Sequence, residues 1–149
     1  MISFIDEKII LLIEDNNDDE ALTLRALKKN NLAEKVTVMR DGAEALEYLL
    51  GNEAEANPLP AVVFLDLQLP KISGLDVLEK LREAERTRFL PIVVLTSSDL
   101  EEDINMAYQL GCNSFIQKPI DFHRFIDEIG QLSLYWTHLN IHPTAVTSY

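Results

Sequence analysis

Glu14, Asp15, Asp66, Thr96 and Lys118 share one placement: each closes or directly follows a short apolar run. "KIILLI" runs into Glu14 and Asp15, "AVVFL" into Asp66, "PIVVL" into Thr96 and "SFIQ" into Lys118. An ionised carboxylate is costly to bury without compensation, so a run such as "VVFLD" either emerges into solvent or delivers its acid to a site. Three clustered carboxylates repel, and one would keep its proton at neutral pH unless a cation neutralised the group. A hard divalent ion does this, and Mg²⁺ suits one or two carboxylates, a backbone carbonyl and waters. Such a metal can hold a phosphoryl oxygen while a lysine and a hydroxyl take others, and a central carboxylate can act as nucleophile through an aspartyl-phosphate.

Each residue also has a plainer reading. "EDNNDDE" can be a solvated acidic first turn favoured by the helix dipole. Ser98 and Glu101 have the spacing of a capping box, which would make "TSS" a helix cap. Lys118 before Pro119 can be a surface lysine at a turn. These readings do not explain why the polar residues fall together at corresponding ends of four runs.

The elements that must position them follow from periodicity. Five apolar runs, at 8–13, 35–39, 61–65, 91–95 and 114–117, alternate with segments of helical spacing. Apolar residues nearly throughout a strand imply a sheet covered on both faces, hence parallel strands flanked by helices. Five such units predict a doubly wound α/β fold, whose site lies outside the carboxyl ends of the strands. The second strand belongs at the sheet edge, followed by an ordinary turn at Arg40, Asp41 and Gly42. "GNEAEANPLP", residues 51–60, reads as a loop.

Composition bounds the function. The chain has 149 residues, 47% hydrophobic, and a formal net charge of −12 from 25 acidic against 13 basic residues. That length suits one domain, and the charge argues against nucleic-acid binding. No apolar run approaches the length of a membrane span, and the N-terminus lacks a signal-peptide pattern. The single cysteine, Cys112, fits a reducing cytosol and reads as a small buried residue.

With these residues in place, the chain resembles the receiver domain of two-component response regulators. "ILLIEDN" is similar to its first strand and acid pair, "VVFLDLQLPKISGLDVL" to its phosphoacceptor segment, "PIVVLTSS" to its switch strand and "SFIQKPI" to its lysine strand, spanning residues 8 to about 134. The resemblance implies a flavodoxin-like five-stranded parallel sheet of order 2-1-3-4-5 with five helices. It makes Asp66 the phosphoacceptor, with Asp15 and Asp66 binding Mg²⁺ directly, Glu14 through water and Gln68 by its backbone carbonyl. Thr96 becomes the switch hydroxyl, Lys118 the phosphate-pairing lysine and Phe115 the rotameric aromatic, while Gln68 and Ser98 tune dephosphorylation. The Lys118–Pro119 peptide is expected cis. A closer resemblance, to the stand-alone regulators that partner cyanobacterial and bacterial phytochromes, rests on "MRDGAEALEYL", the 51–60 loop, "AYQLGCNSFIQKP" and "LYW". It implies a phytochrome-type histidine kinase as partner, a cytoplasmic location and no turnover enzymology.

Haloacid-dehalogenase-type phosphatases also use a strand-end aspartate with Mg²⁺, which makes such a phosphatase with Asp66 as nucleophile the alternative. They need a second acid two residues on, where this chain has Gln68. The expected domain runs over residues 1–139, including a prolonged last helix, with a tail at 140–149. On that helix Phe122, Phe125, Ile126, Ile129 and Leu132 form a core-facing stripe. Leu134, Tyr135, Trp136 and Leu139 lie beyond it as an exposed cluster, so a homodimer is expected with Tyr135 and Trp136 at the contact.

Overall fold

A computed structural model of the chain describes residues 2–3, 5–118, 121–143 and 146–147. Its centre is a parallel sheet of β2 (Ile5–Ile13), β3 (Val36–Met39), β4 (Leu59–Leu65), β5 (Ile92–Thr96) and β6 (Ser114–Gln117) in the order β3-β2-β4-β5-β6. Counting only these strands, the order is the expected 2-1-3-4-5. All residues of β4 and β5 are buried, as continuous apolar strands require when both faces are covered.

Alternation along the strands separates two core layers. Leu11, Ile13, Val63, Leu65 and Val94 face α2 (Gly42–Leu50), α3 (Gly74–Glu83) and α4 (Glu101–Gln109), where Leu49, Val77, Leu78, Leu81 and Ala107 meet them. Ile10, Leu12, Val62, Phe64, Val93 and Leu95 face α1 (Asn17–Lys29) and α5 (Phe122–Leu134), packed on Ala26, Leu27, Phe125, Ile126 and Ile129. Cys112 is buried in the first of these layers, as expected.

Side-chain caps start most of the helices. Asn16 accepts from the Asp18 and Asp19 N–H groups, Asp41 from Glu44, Ser73 from Asp76, and Asp121 from His123 and Arg124. The exception is α4. Ser98 does not form the box with Glu101 that its spacing suggested: its hydroxyl donates to Asp103 Oδ2 at 2.6 Å and accepts from the Leu100 N–H. The helix therefore begins only at Glu101, with Leu100 as an uncapped entry.

Three further departures concern the amino end of the sheet. The 51–60 segment is not wholly loop: a 3-10 turn forms at Ala54–Ala56, and Leu59 and Pro60 already belong to β4. Buried Arg86 holds it, donating to the carbonyls of Leu49, Ala54 and Asn57. At the chain ends β1 (Ile2–Ser3) pairs antiparallel with β7 (Val146–Thr147), a second sheet for the tail. Finally, α5 gives way to a π-helical turn at Tyr135–Leu139.

That turn carries most of the expected exposed cluster and half-buries one member of it. Trp136 packs into the core layer of α1 and α5, and its carbonyl is 2.7 Å from Nε2 of the buried His142. The tail thus folds back to the backbone of the tryptophan, whose side chain is half-buried. Leu134, Tyr135, Leu139 and Ile141 are exposed, Leu139 at 73%.

Candidate phosphoryl and metal site

Parallel register brings the four strand ends to one rim. Ile13 lies beside Leu65, Leu65 beside Val94, and Thr96 beside Gln117. Backbone bonds continue one residue past the strands: the Asp66 N–H donates to the Ile13 carbonyl and the Lys118 N–H to that of Thr96, at 3.1 and 2.7 Å. Glu14, Asp66 and Lys118 are therefore fixed by the sheet rather than by loops.

Their side chains converge. One carboxylate oxygen from each of Glu14, Asp15 and Asp66 lies within 4.8 Å of the other two. Glu14 and Asp66 are buried, at 1% and 5% exposure, while Asp15 is exposed. The Lys118 ammonium reaches Glu14 Oε1 at 2.6 Å, Asp19 Oδ2 at 2.8 Å and Asp66 Oδ2 at 3.1 Å. The other Asp66 oxygen accepts the Gln68 N–H at 3.1 Å.

Charge in so small a volume shifts the titrations. Burial, then a hydrogen bond to the neighbouring Asp66, pushes the Glu14 carboxyl up to about 8, against the opposing pull of Lys118. Burial works to lower Lys118, but its hydrogen bonds to Asp19 and Glu14 outweigh it, and the ammonium is held above its ordinary range. A divalent ion is the fit for what remains, an oxygen-only donor set with excess negative charge.

A pocket of about 510 Å³ opens onto this group, lined by Asp15, Asn16, Asn17, Asp19, Asp66, Gln68, Ser97 and Lys118. Thr96 is fully buried and not part of that lining; its hydroxyl accepts the Ser98 N–H at 3.3 Å. Ser97 takes the surface position, donating to the Gln68 side-chain oxygen at 3.2 Å. Ser98 is turned toward α4 by Asp103. Phe115 is half-buried on β6, packed against the core beside α4. Pro119 lies outside the described residues, and with it the expected cis peptide.

Asp19 is the site residue that the pattern of strand ends did not single out. Its signal was present: with Asn16 as cap, Asp19 is the third residue of α1, and helical side chains lean toward the N-terminus, here toward the rim.

The model of the response regulator receiver domain family matches residues 10–130. The chain belongs to that family. Receivers are signalling proteins rather than turnover enzymes. The probable methanogenesis regulatory protein FilR2 of Methanothrix harundinacea is 38% identical over 138 residues, covering 93% of this chain and 89% of that protein. Response regulator Rcp1 of Synechocystis is 31% identical, covering 93% and 95%. The crystal structure of its Mn²⁺-bound form superposes with a TM-score of 0.81 over 91% of this chain and 98% of that one, at 29% identity. The phosphorylated cyanobacterial phytochrome response regulator RcpA gives a TM-score of 0.81 at 32% identity, covering 90% of this chain and 96% of that one. The receiver fold is thus common to this chain and to relatives described as metal-bound or phosphorylated. Among the described residues no helix is long and apolar enough to cross a membrane.

Proposed function

We propose that the chain is a phosphoacceptor that takes a phosphoryl group from a histidine kinase onto Asp66. The observation that carries this reading is the Lys118 ammonium set between Asp66 and a second buried acid, Glu14, at the end of a fully buried strand. An Asp66 carboxylate oxygen attacks phosphorus, the new O–P bond forming as the P–N bond to the donor imidazole breaks, and the imidazole leaves with the electron pair. Lys118 offers an N–H to a phosphoryl oxygen, and Thr96 turns its hydroxyl to another. Mg²⁺ is the ion we assign to Glu14, Asp15, Asp66 and the Gln68 carbonyl, and when bound it neutralises acid and phosphoryl oxygens together. Asp15, exposed to the pocket, offers a direct ligand.

Gln68 and Ser98 set how fast water removes the phosphoryl group, and Phe115 moves with Thr96 to carry the change to the α4, β6 and α5 face. RcpA, a phytochrome regulator by description, supports a phytochrome as kinase and hence a cytosolic setting. The net charge of −12 disfavours nucleic acid as target. Exposed Leu134, Tyr135 and Leu139, with the half-buried Trp136 edge-on to Tyr135, support a homodimer with Tyr135 and Trp136 at the contact. The phosphatase alternative lacks its second acid, since position 68 is a glutamine.

The test is transfer of labelled phosphate from phosphoramidate or a phosphorylated kinase with Mg²⁺. Wild type acquires one label and Asp66→Asn acquires none; label retained on the Asn variant overturns the assignment. Sedimentation of wild type and Tyr135→Ala checks the dimer, which a monomeric wild type refutes.

A further inference from the structure

We propose that Asp19 is a positioning residue of this site: a carboxylate that holds Lys118 in the unphosphorylated chain and releases it when a phosphoryl group arrives on Asp66. The proposal rests on the reading of Asp66 as phosphoacceptor.

An ammonium has three N–H donors and no more. In this chain all are committed, to Glu14, Asp19 and Asp66. A phosphoryl oxygen can therefore gain Lys118 only if one carboxylate gives it up. Asp66 is the atom group being modified and stays alongside. Glu14 makes the shortest contact with a side chain only 2% exposed, so no water stands ready to replace the ammonium. The Asp19 side chain is 37% exposed and lines the pocket, where water can take over its hydrogen bond. Releasing a partly exposed pair costs far less than breaking a buried one.

The backbone around Asp19 restricts the release to its side chain. Its N–H donates to the Asn16 cap at 3.0 Å, and its carbonyl accepts from the buried Thr23 hydroxyl at 2.9 Å. The first turn of α1 is thus pinned at both ends of this residue, and a rotation about the side-chain bonds suffices. Asp19 also adds a negative charge to the wall of a pocket that an anionic phosphodonor must enter. Both effects have one sign: Asp19 restrains phosphoryl capture, and the restraint ends when it lets go.

The experiment uses the full chain at saturating Mg²⁺ with phosphoramidate as donor, comparing wild type, Asp19→Asn, Asp19→Ala, Asp19→Glu and Asp66→Asn. Asp19→Asn and Asp19→Ala are expected to label about two- to fivefold faster than wild type, the range set by a partly exposed ion pair. Asp19→Glu, which restores the charge, should return the rate toward wild type. A merely structural role predicts the opposite, since a damaged site labels more slowly. Neutral variants that label no faster than wild type, with wild type active and Asp66→Asn silent, remove the Asp19 proposal alone. No label on wild type, or label on Asp66→Asn, removes the phosphoacceptor reading and the role of Asp19 with it.

Discussion

Gly74→Ala should damage both the stability of this protein and its chemistry, although it adds a single methyl group to the start of a helix. Gly74 is the first residue of α3, and its N–H donates to the Leu67 carbonyl at 3.0 Å, holding the helix against the turn that follows Asp66. A β-carbon there would sit 2.5 Å from Leu67 Cα and also inside contact of the Asp66 carbonyl oxygen. Carbon atoms in contact ordinarily lie about 3.5 Å apart, so the overlap is about 1 Å. The opposing atoms are backbone and cannot rotate away. Overpacking of this kind costs about 1–3 kcal/mol, offset by at most about 1 kcal/mol from the better helix propensity of alanine. The net loss is about 1–2 kcal/mol, which at a urea m-value of about 2 kcal/mol/M lowers the midpoint by about 0.5–1 M. The displaced peptide carries Asp66 itself, and a misplacement of about 1 Å costs on the order of 100-fold in rate. Urea melts and phosphoramidate labelling measure the two effects. A variant with an unchanged midpoint that labels within about twofold of wild type would refute this reasoning.

Glu14 makes the site pH-dependent. Its folded value near 8 lies above its ordinary 4.5, so the folded state binds the extra proton, and stability without metal falls as pH rises from about 4.5 to about 8. Mg²⁺ should reverse the trend: its affinity rises with pH up to about 8, with close to one proton released at pH 7, read by calorimetry in buffers of different ionisation heat. Glu14→Gln should abolish that release, and an unchanged proton count refutes the assignment. Lys118→Met removes the cation shared by three acids and should cost about 3 kcal/mol in metal-free urea melts, a loss that Mg²⁺ reduces; equal losses with and without metal count against it. Thr96→Ala should accept phosphate yet show no change in amide exchange over residues 99–118 and 121–134, and a surviving response rejects the Thr96 route. His142→Ala removes the contact with the Trp136 carbonyl, and should shift tryptophan emission to the red with a loss of about 1–2 kcal/mol; unaltered emission would show that this contact does not hold the half-buried tryptophan in place.

The sheet and its rim were legible because burial writes itself into composition. "AVVFL" and "PIVVL" have no polar position, which only strands covered on both faces permit, and the residue after each run must then stand at the rim. What was not legible depends on distances between elements. Asp18 and Asp19 look alike on paper; the phase set by the Asn16 cap and the reach of Lys118 choose Asp19. Arg86 sits in "REAERTR", a run that reads as solvated charge, and its burial follows from carbonyls supplied by another segment. Ser98 and Glu101 have the spacing of a capping box, but Asp103 offers the Ser98 hydroxyl a charged acceptor and wins it. The tail pairs over two residues with the far end of the chain, too short a strand to leave a period.

That pairing joins Ile2–Ser3 to Val146–Thr147 beside the amino end of β2, across the sheet from the acids at its carboxyl end. These two segments are thus neighbours, well away from Asp66. A circular permutant that links them through a few glycines and reopens the chain at the exposed Asn52 and Glu53 would keep every strand of the central sheet in place. The same geometry lets a reporter be fused at either end, or at both, without crowding the pocket in which the lysine and its acids meet.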